Sequence, residues 1–155
     1  MLRGINAIVL DSKGRLAIPT RYRTELTDWC GGQLVITVAV NETGAGEHGC
    51  LWLYPLPEWE KLEQTLSRLP TLNKMSTRLK RFLIGYACEC EMDSQGRFLI
   101  PGQLRQFAQL NKKIMMIGQL NKFELWNETA WHDQESNWIT GADTDDLKPL
   151  EQLSF

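Results

Sequence analysis

LDSKGRLAIP, residues 10–19, returns as MDSQGRFLIP at residues 92–101. Aligned at that offset, Asp11–Leu26 and Asp93–Ala108 share seven of sixteen residues: Asp, Ser, Gly, Arg, Ile, Pro and a second Arg. Chance would supply roughly one, so the chain is a tandem repeat, and the repeat organises every other reading. Within each copy, Asp-Ser-x-Gly is turn chemistry, with glycine where a positive φ is needed. The residues after it alternate: Leu16 and Ile18 point one way, Arg15 and Ala17 the other, the period of a strand. Proline then stops the strand and opens a short helix.

Working outward, Ile5–Leu10 and Arg15–Ile18 read as strands around the first turn, with a helix from Pro19 or Thr20 through Leu26. Leu34–Val40 and Cys50–Tyr54 are the next strands, separated by a glycine-rich loop over Asn41–Gly49. A helix follows from about Glu58 to Leu69. The second copy repeats the order: strands Tyr86–Met92 and Arg97–Ile100, helix Pro101–Phe107, strands Lys113–Gly118 and Lys122–Trp126, and a helix from Thr129. LWLYPLPEW (51–59) and FELWNETAW (123–131) extend the echo through Leu53/Leu125, Tyr54/Trp126 and Trp59/Trp131. Each unit is thus β-β-α-β-β-α. Asn73–Tyr86 carries Met75, Leu79, Phe82, Leu83 and Tyr86 near helical spacing and reads as a linking helix. The expected organisation is a first repeat over residues 1–70, a linker over 71–86, a second repeat over 87–136 and an acidic, mobile tail over 137–155.

Bulk composition narrows the function classes. The 155 residues are 43% apolar and 23% charged, values of a soluble globular protein. No apolar run reaches the ~18 residues of a membrane span, and the opening MLRGINAIVLDSKGR is too short in apolar residues for a secretory signal. A cytoplasmic protein without membrane partners is expected, with Cys30, Cys50, Cys88 and Cys90 as reduced thiols. Cys88-x-Cys90 lacks the second half of a zinc motif, so no metal or other cofactor is expected. Neither a nucleophile elbow, a phosphate-binding glycine loop nor a zinc-protease motif occurs. The two histidines, His48 and His132, are isolated, and the chain does not read as an enzyme.

Charge is unevenly placed. The formal net charge is −2, yet Arg3, Lys13, Arg15, Arg21 and Arg23 stand against the single anion Asp11 in the first stretch. Local positive faces govern anionic partners whatever the net charge. In the turn itself, the Asp11 carboxylate can accept backbone N–H groups and pair with Arg15 four residues on. An arginine so aimed offers a bidentate fork to guanine, with Lys13 neutralising phosphate. The plainer reading is that both turns are staples of the fold. The second copy has Gln95 and Gln103 where the first has Lys13 and Arg21, retaining Asp93, Arg97 and Arg105. If one copy meets DNA, it is the first.

LDSKGRLAIPTRYR and MDSQGRFLIPGQLR, separated by LWLYPLPEWE, together resemble the two halves of the MraZ family, bacterial transcription regulators of the AbrB-like, swapped-hairpin class. The resemblance covers Met1 to about Trp131. It implies an α+β, mainly β fold in which two AbrB-like repeats interlock as a pseudo-dimeric β-barrel flanked by helices. It also implies a homo-oligomeric ring, associated with the nucleoid. Its DNA partner would be promoter direct repeats upstream of its own gene, at the head of the division and cell-wall gene cluster. The implied DNA contacts fall on Asp11, Lys13 and Arg15, with Asp93 and Arg97 at the matching positions of the second motif. A ring-forming scaffold, or an antitoxin-like protein-binding module with the turns as staples, is the alternative.

Overall fold

The computed structural model describes residues 1–41, 44–45, 49–140 and 153–154. The first repeat contributes β1 (Leu2–Val9), β2 (Arg15–Ala17), α1 (Thr20–Cys30), β3 (Gln33–Val38), a short pair β4 (Val40–Asn41) and β5 (Gly44–Ala45), β6 (Leu51–Pro55) and α2 (Leu56–Ser67). After α3 (Lys74–Leu83) the second repeat supplies β7 (Cys88–Glu91), β8 (Arg97–Leu99), α4 (Gly102–Phe107), β9 (Lys113–Leu120), β10 (Phe123–Asn127) and α5 (Glu128–Thr140). The doubled order read from the sequence is present, in an α+β fold built on antiparallel strands.

The halves are interlaced rather than side by side. One antiparallel sheet runs β1-β9-β10-β6-β3-β7. The first strand of repeat one therefore pairs with the third of repeat two, from Leu2 opposite Leu120 to Val9 opposite Lys113. The first strand of repeat two returns the exchange on β3, with Cys90 opposite Leu34. A second, two-stranded ribbon joins β2 to β8, setting Leu16 opposite Phe98. Each repeat thus depends on the other for much of its strand pairing.

A closed barrel was the expectation, and the sheet corrects it: β1 and β7 are its ends, and no ladder joins them among the described residues. The ribbon spans the gap through single links. Leu10 bridges Leu16, the Asp11 N–H donates to the Arg15 carbonyl at 2.9 Å, and the Asp93 N–H donates to that of Arg97 at 2.8 Å. Strands of three residues, followed closely by Pro19 and Pro101, are too short and too donor-poor for a full ladder to each side.

The core fills the space between sheet and ribbon. Leu16, Ile18, Phe98 and Ile100 point inward against Leu34, Ile36, Leu51, Leu53, Phe123 and Leu125, with Leu26 from α1 and Leu104 from α4. Fully burying such a side chain contributes about 1.5–3 kcal/mol each. On the sheet's other face α2 covers Val35 and Tyr54 with Trp59, and α5 covers Met115, Ile117 and Trp126 with Trp131.

Caps set the helix lengths. α1 runs four residues past the predicted Leu26 because Gly31, at φ +60°, supplies the left-handed stop. Asn73 caps α3, its Oδ1 accepting the N–H groups of Met75 (2.9 Å) and Ser76 (3.1 Å). Met75, placed in the apolar stripe by its spacing, is instead exposed. Residues 137–140 belong to α5. The rest of the expected acidic tail, residues 141–152 and 155, lies outside the described residues, as do His48 and parts of the loop after β4.

Candidate nucleic-acid interface

Asp11 Oδ1 accepts the backbone N–H groups of Lys13 and Arg15, both at 2.9 Å, while Oδ2 accepts Arg15 Nε at 3.0 Å. Asp93 does the same: Oδ1 takes the N–H groups of Gln95 and Arg97 at 2.9 Å, and Oδ2 takes Arg97 Nε at 3.0 Å. Each aspartate thus closes its turn and fixes its arginine. The turn geometry requires positive φ at Gly14 (+81°) and Gly96 (+74°). The Arg15 backbone N–H, first among the causes, holds the Asp11 carboxyl below its usual range, and the Arg97 N–H does so for Asp93. With Nε committed to the carboxylate, each guanidinium keeps its two Nη groups as a preset fork.

Ribbon register puts both forks on one surface. Because Leu16 and Phe98 are buried inward, their neighbours Arg15, Ala17, Arg97 and Leu99 face outward. Arg15 lies opposite Leu99, and Ala17 opposite Arg97. The two arginines are therefore diagonal neighbours, about 7–8 Å apart in backbone position. Lys13 is exposed beside the first fork and Gln95 beside the second. A two-stranded ribbon of this width fits the major groove of B-DNA.

The remaining cations of the predicted site do not gather there. Arg23 Nε donates to the Ile18 carbonyl at 2.8 Å, and its side chain lies over the opposite turn: a Cβ on Gly96 would stand 2.2 Å from that Nε. Arg21 reaches the Arg3 carbonyl at 3.4 Å, hydrogen-bonds the Tyr22 hydroxyl and stacks 4.6 Å from the Tyr22 ring centroid. Arg3 sits at the far end of β1, eight residues of extended strand from Asp11, roughly 26 Å along the chain. Charge clustered in sequence is thus divided in space: β1 and α1 carry Arg3 and Arg21 away from the turns, while Arg23 stands against the second turn rather than the first.

Arg105 is the residue the sequence reading missed. Its Nε donates to the Ile100 carbonyl at 3.0 Å, and a Cβ on Gly14 would stand 2.7 Å from its Cζ. Arg105 of the second repeat thus braces the first turn, and Arg23 of the first braces the second. Backbone bonds cross in the same sense: the Ile18 N–H donates to the Gly96 carbonyl (2.8 Å) and the Ile100 N–H to the Gly14 carbonyl (2.9 Å). The signal was the last arginine shared by the two copies, but sequence cannot say which turn it supports.

Other chemistry is sparse. Among the described residues, no group of three or more His, Cys, Asp or Glu could hold a metal ion. Burial pushes the Cys90 thiol up to about 12, so it rests protonated rather than as a metal-ready thiolate. No described helix is long and apolar enough to cross a membrane.

The fold is a duplicated module that sets two aspartate-clamped arginines on one outward ribbon, and comparison with known proteins gives the family. Both halves match the model of the MraZ protein family, described as antitoxin-like, over residues 1–82 and 83–146. The Transcriptional regulator MraZ of Methylococcus capsulatus is 53% identical over 150 residues, spanning 97% of this chain and 94% of that protein. Those of Escherichia coli O9:H4 (strain HS) and Shigella boydii serotype 18 are each 53% identical over 158 residues, spanning both chains in full. The chain belongs to the MraZ family.

Proposed function

We propose that this chain is a sequence-specific DNA-binding transcriptional regulator and that its reading surface is the outward face of the β2–β8 ribbon. The observation carrying this is the pair of aspartate-clamped arginines on one face, their forks oriented before any ligand arrives. Arg15 is the principal base contact, with Asp11 as its clamp and Lys13 on phosphate. Arg97, clamped by Asp93, contributes less because Gln95 replaces the lysine. Arg3 lies outside this ribbon, while Arg21 and Arg23 serve the fold around it. The proposal extends to a protein with no enzymatic activity, working in the cytoplasm on the nucleoid.

The exchange of strands supports assigning the fold to the AbrB-like swapped-hairpin class, with repeats over 1–70 and 87–136 joined by 71–86. One chain presents few cations, and non-specific contacts of that kind bind at about 10⁻⁴–10⁻⁶ M. A head-to-tail ring of copies on promoter direct repeats upstream of its own gene raises the apparent affinity by about 10²–10⁴-fold. Direct repeats suit a head-to-tail assembly as palindromes suit a two-fold dimer.

Anisotropy titration of the DNA upstream of the gene, beside a scrambled duplex, tests this at several salt concentrations. Selective binding that weakens with a slope near −0.9 per neutralised phosphate is expected. Equal affinity for both duplexes contradicts it. Salt-insensitive capture of a protein partner would instead favour the antitoxin-like or scaffold reading, which the family's description keeps in view.

A further inference from the structure

The ribbon's pseudo-symmetry holds for its arginines and fails for its other outward positions. Ala17 and Leu99 are equivalent in the repeat, yet one is a methyl group and the other a full aliphatic side chain. Leu99 is 53% exposed, on the outward face that also carries the two clamped arginines. Core packing does not account for it, since the inward position on β8 belongs to Phe98, 2% exposed. Register then decides where this leucine acts. It stands opposite Arg15, not beside its own repeat's Arg97 in the pairing, while Arg97 faces only Ala17. One end of the ribbon therefore carries Lys13, Arg15 and Leu99, and the other Gln95, Arg97 and Ala17.

Resting on the DNA-binding reading above, we infer that Leu99 is a specificity residue. Its side chain meets the C5-methyl group of a thymine on a base pair next to the one read by Arg15. The chemistry fits the position. In the major groove the thymine methyl is the apolar feature a side chain can recognise, and aliphatic groups contact it directly. An arginine fork on one strand and an aliphatic group directly across the ribbon, about 4.5–5.5 Å away, span neighbouring base pairs. The reading end is consequently composite: the fork and the phosphate lysine come from repeat one and the methyl contact from repeat two. Neither repeat alone would hold the full code, which gives the interlaced strands a functional consequence.

The test replaces each thymine of a selectively bound upstream duplex, one at a time, by deoxyuridine, which removes only the methyl group. Wild type should lose about fourfold in affinity at one or two positions, the worth of one buried methyl-sized group. Leu99→Ala should bind the unmodified duplex about fourfold more weakly and be indifferent to the same replacements, while Leu99→Ile should retain the sensitivity. Circular dichroism and thermal unfolding of each variant confirm an intact fold, as expected for so exposed a side chain. Wild type that selects the duplex but ignores every replacement overturns this inference alone. So does a Leu99→Ala variant whose uridine sensitivity matches wild type. Wild type that shows no selectivity for the duplex removes the DNA-binding reading and this inference with it.

Discussion

The first and second turns are alike in every feature that builds them and unlike in the side chains they show to solvent. Aspartate, glycine and arginine recur with hydrogen bonds of equal length, because together they close the backbone and aim the fork. Lysine becomes glutamine, and alanine becomes leucine, at exposed positions. The contrast separates what the fold requires from what a partner can read. It also shows why the staple reading and the DNA reading of these turns are compatible: one carboxylate does both jobs through different oxygens.

The largest effect should come from breaking the shared part. Gly14→Val combines a φ of +81° with a Cβ 2.7 Å from Arg105 Cζ, and should destabilise the chain by on the order of 2–4 kcal/mol. Gly96→Val should do the same against Arg23. Chemical denaturation of both reads this, and a near-neutral result at either would rule out strain at that turn.

Next come the crossed braces. Arg105→Met should cost about 1–3 kcal/mol through its lost bond to Ile100, and should loosen the first turn. Arg23→Met should have a similar effect on stability, but on the second turn. DNA affinity therefore should fall more for Arg105→Met, although Arg23 belongs to the repeat that reads. The reverse ranking in a binding titration would contradict the crossed geometry.

Smaller still is the exchange of the phosphate group. Lys13→Gln should lower the magnitude of the salt slope by about 0.9, and Gln95→Lys should raise it by about as much if the second turn also faces phosphate. An unchanged slope for Lys13→Gln would remove that residue from the interface.

The smallest effect concerns pH. The folded Asp11 carboxyl titrates below its ordinary value of about 3.9. Its clamp therefore contributes in full above that value and is lost only as pH falls through the lower, folded one. The stability difference between wild type and Asp11→Asn should stay level from neutral pH down to about pH 5 and shrink in stronger acid. Thermal unfolding across pH measures it, and a difference that grew on acidification would mean that the folded carboxyl titrates above its ordinary value instead.

Much of this was legible in the letters because its chemistry is local. Asp-Ser-x-Gly-Arg states its own turn, proline states where β2 and β8 stop, and alternation states which of Leu16 and Arg15 faces inward. The pairing was not legible from those rules. Nothing local tells β1 to lie on β9, or Arg15 to stand across from Leu99, since both follow from contacts between distant segments. The same limit explains the cations: Arg3, Arg21 and Arg23 are near Arg15 in sequence, while Arg105, ninety residues away, stands at its turn. The end of α1 was missed for a simpler reason. Trp29 and Cys30 continue the period of Tyr22 and Leu26 and pack against the core, but the polar pair Thr27-Asp28 between them masks the last turn before the Gly31 cap.

The most direct measurement compares Arg15→Ala and Arg97→Ala with wild type on the upstream duplex and its scrambled control, after thermal unfolding shows all three folded. A bidentate base contact is worth about 1–3 kcal/mol. Arg15→Ala should therefore lose roughly five- to 150-fold in affinity, along with its preference over scrambled DNA, and Arg97→Ala should lose less. Equal losses in the two variants would contradict the first turn's role as reader, and no loss in either would return both turns to structural staples.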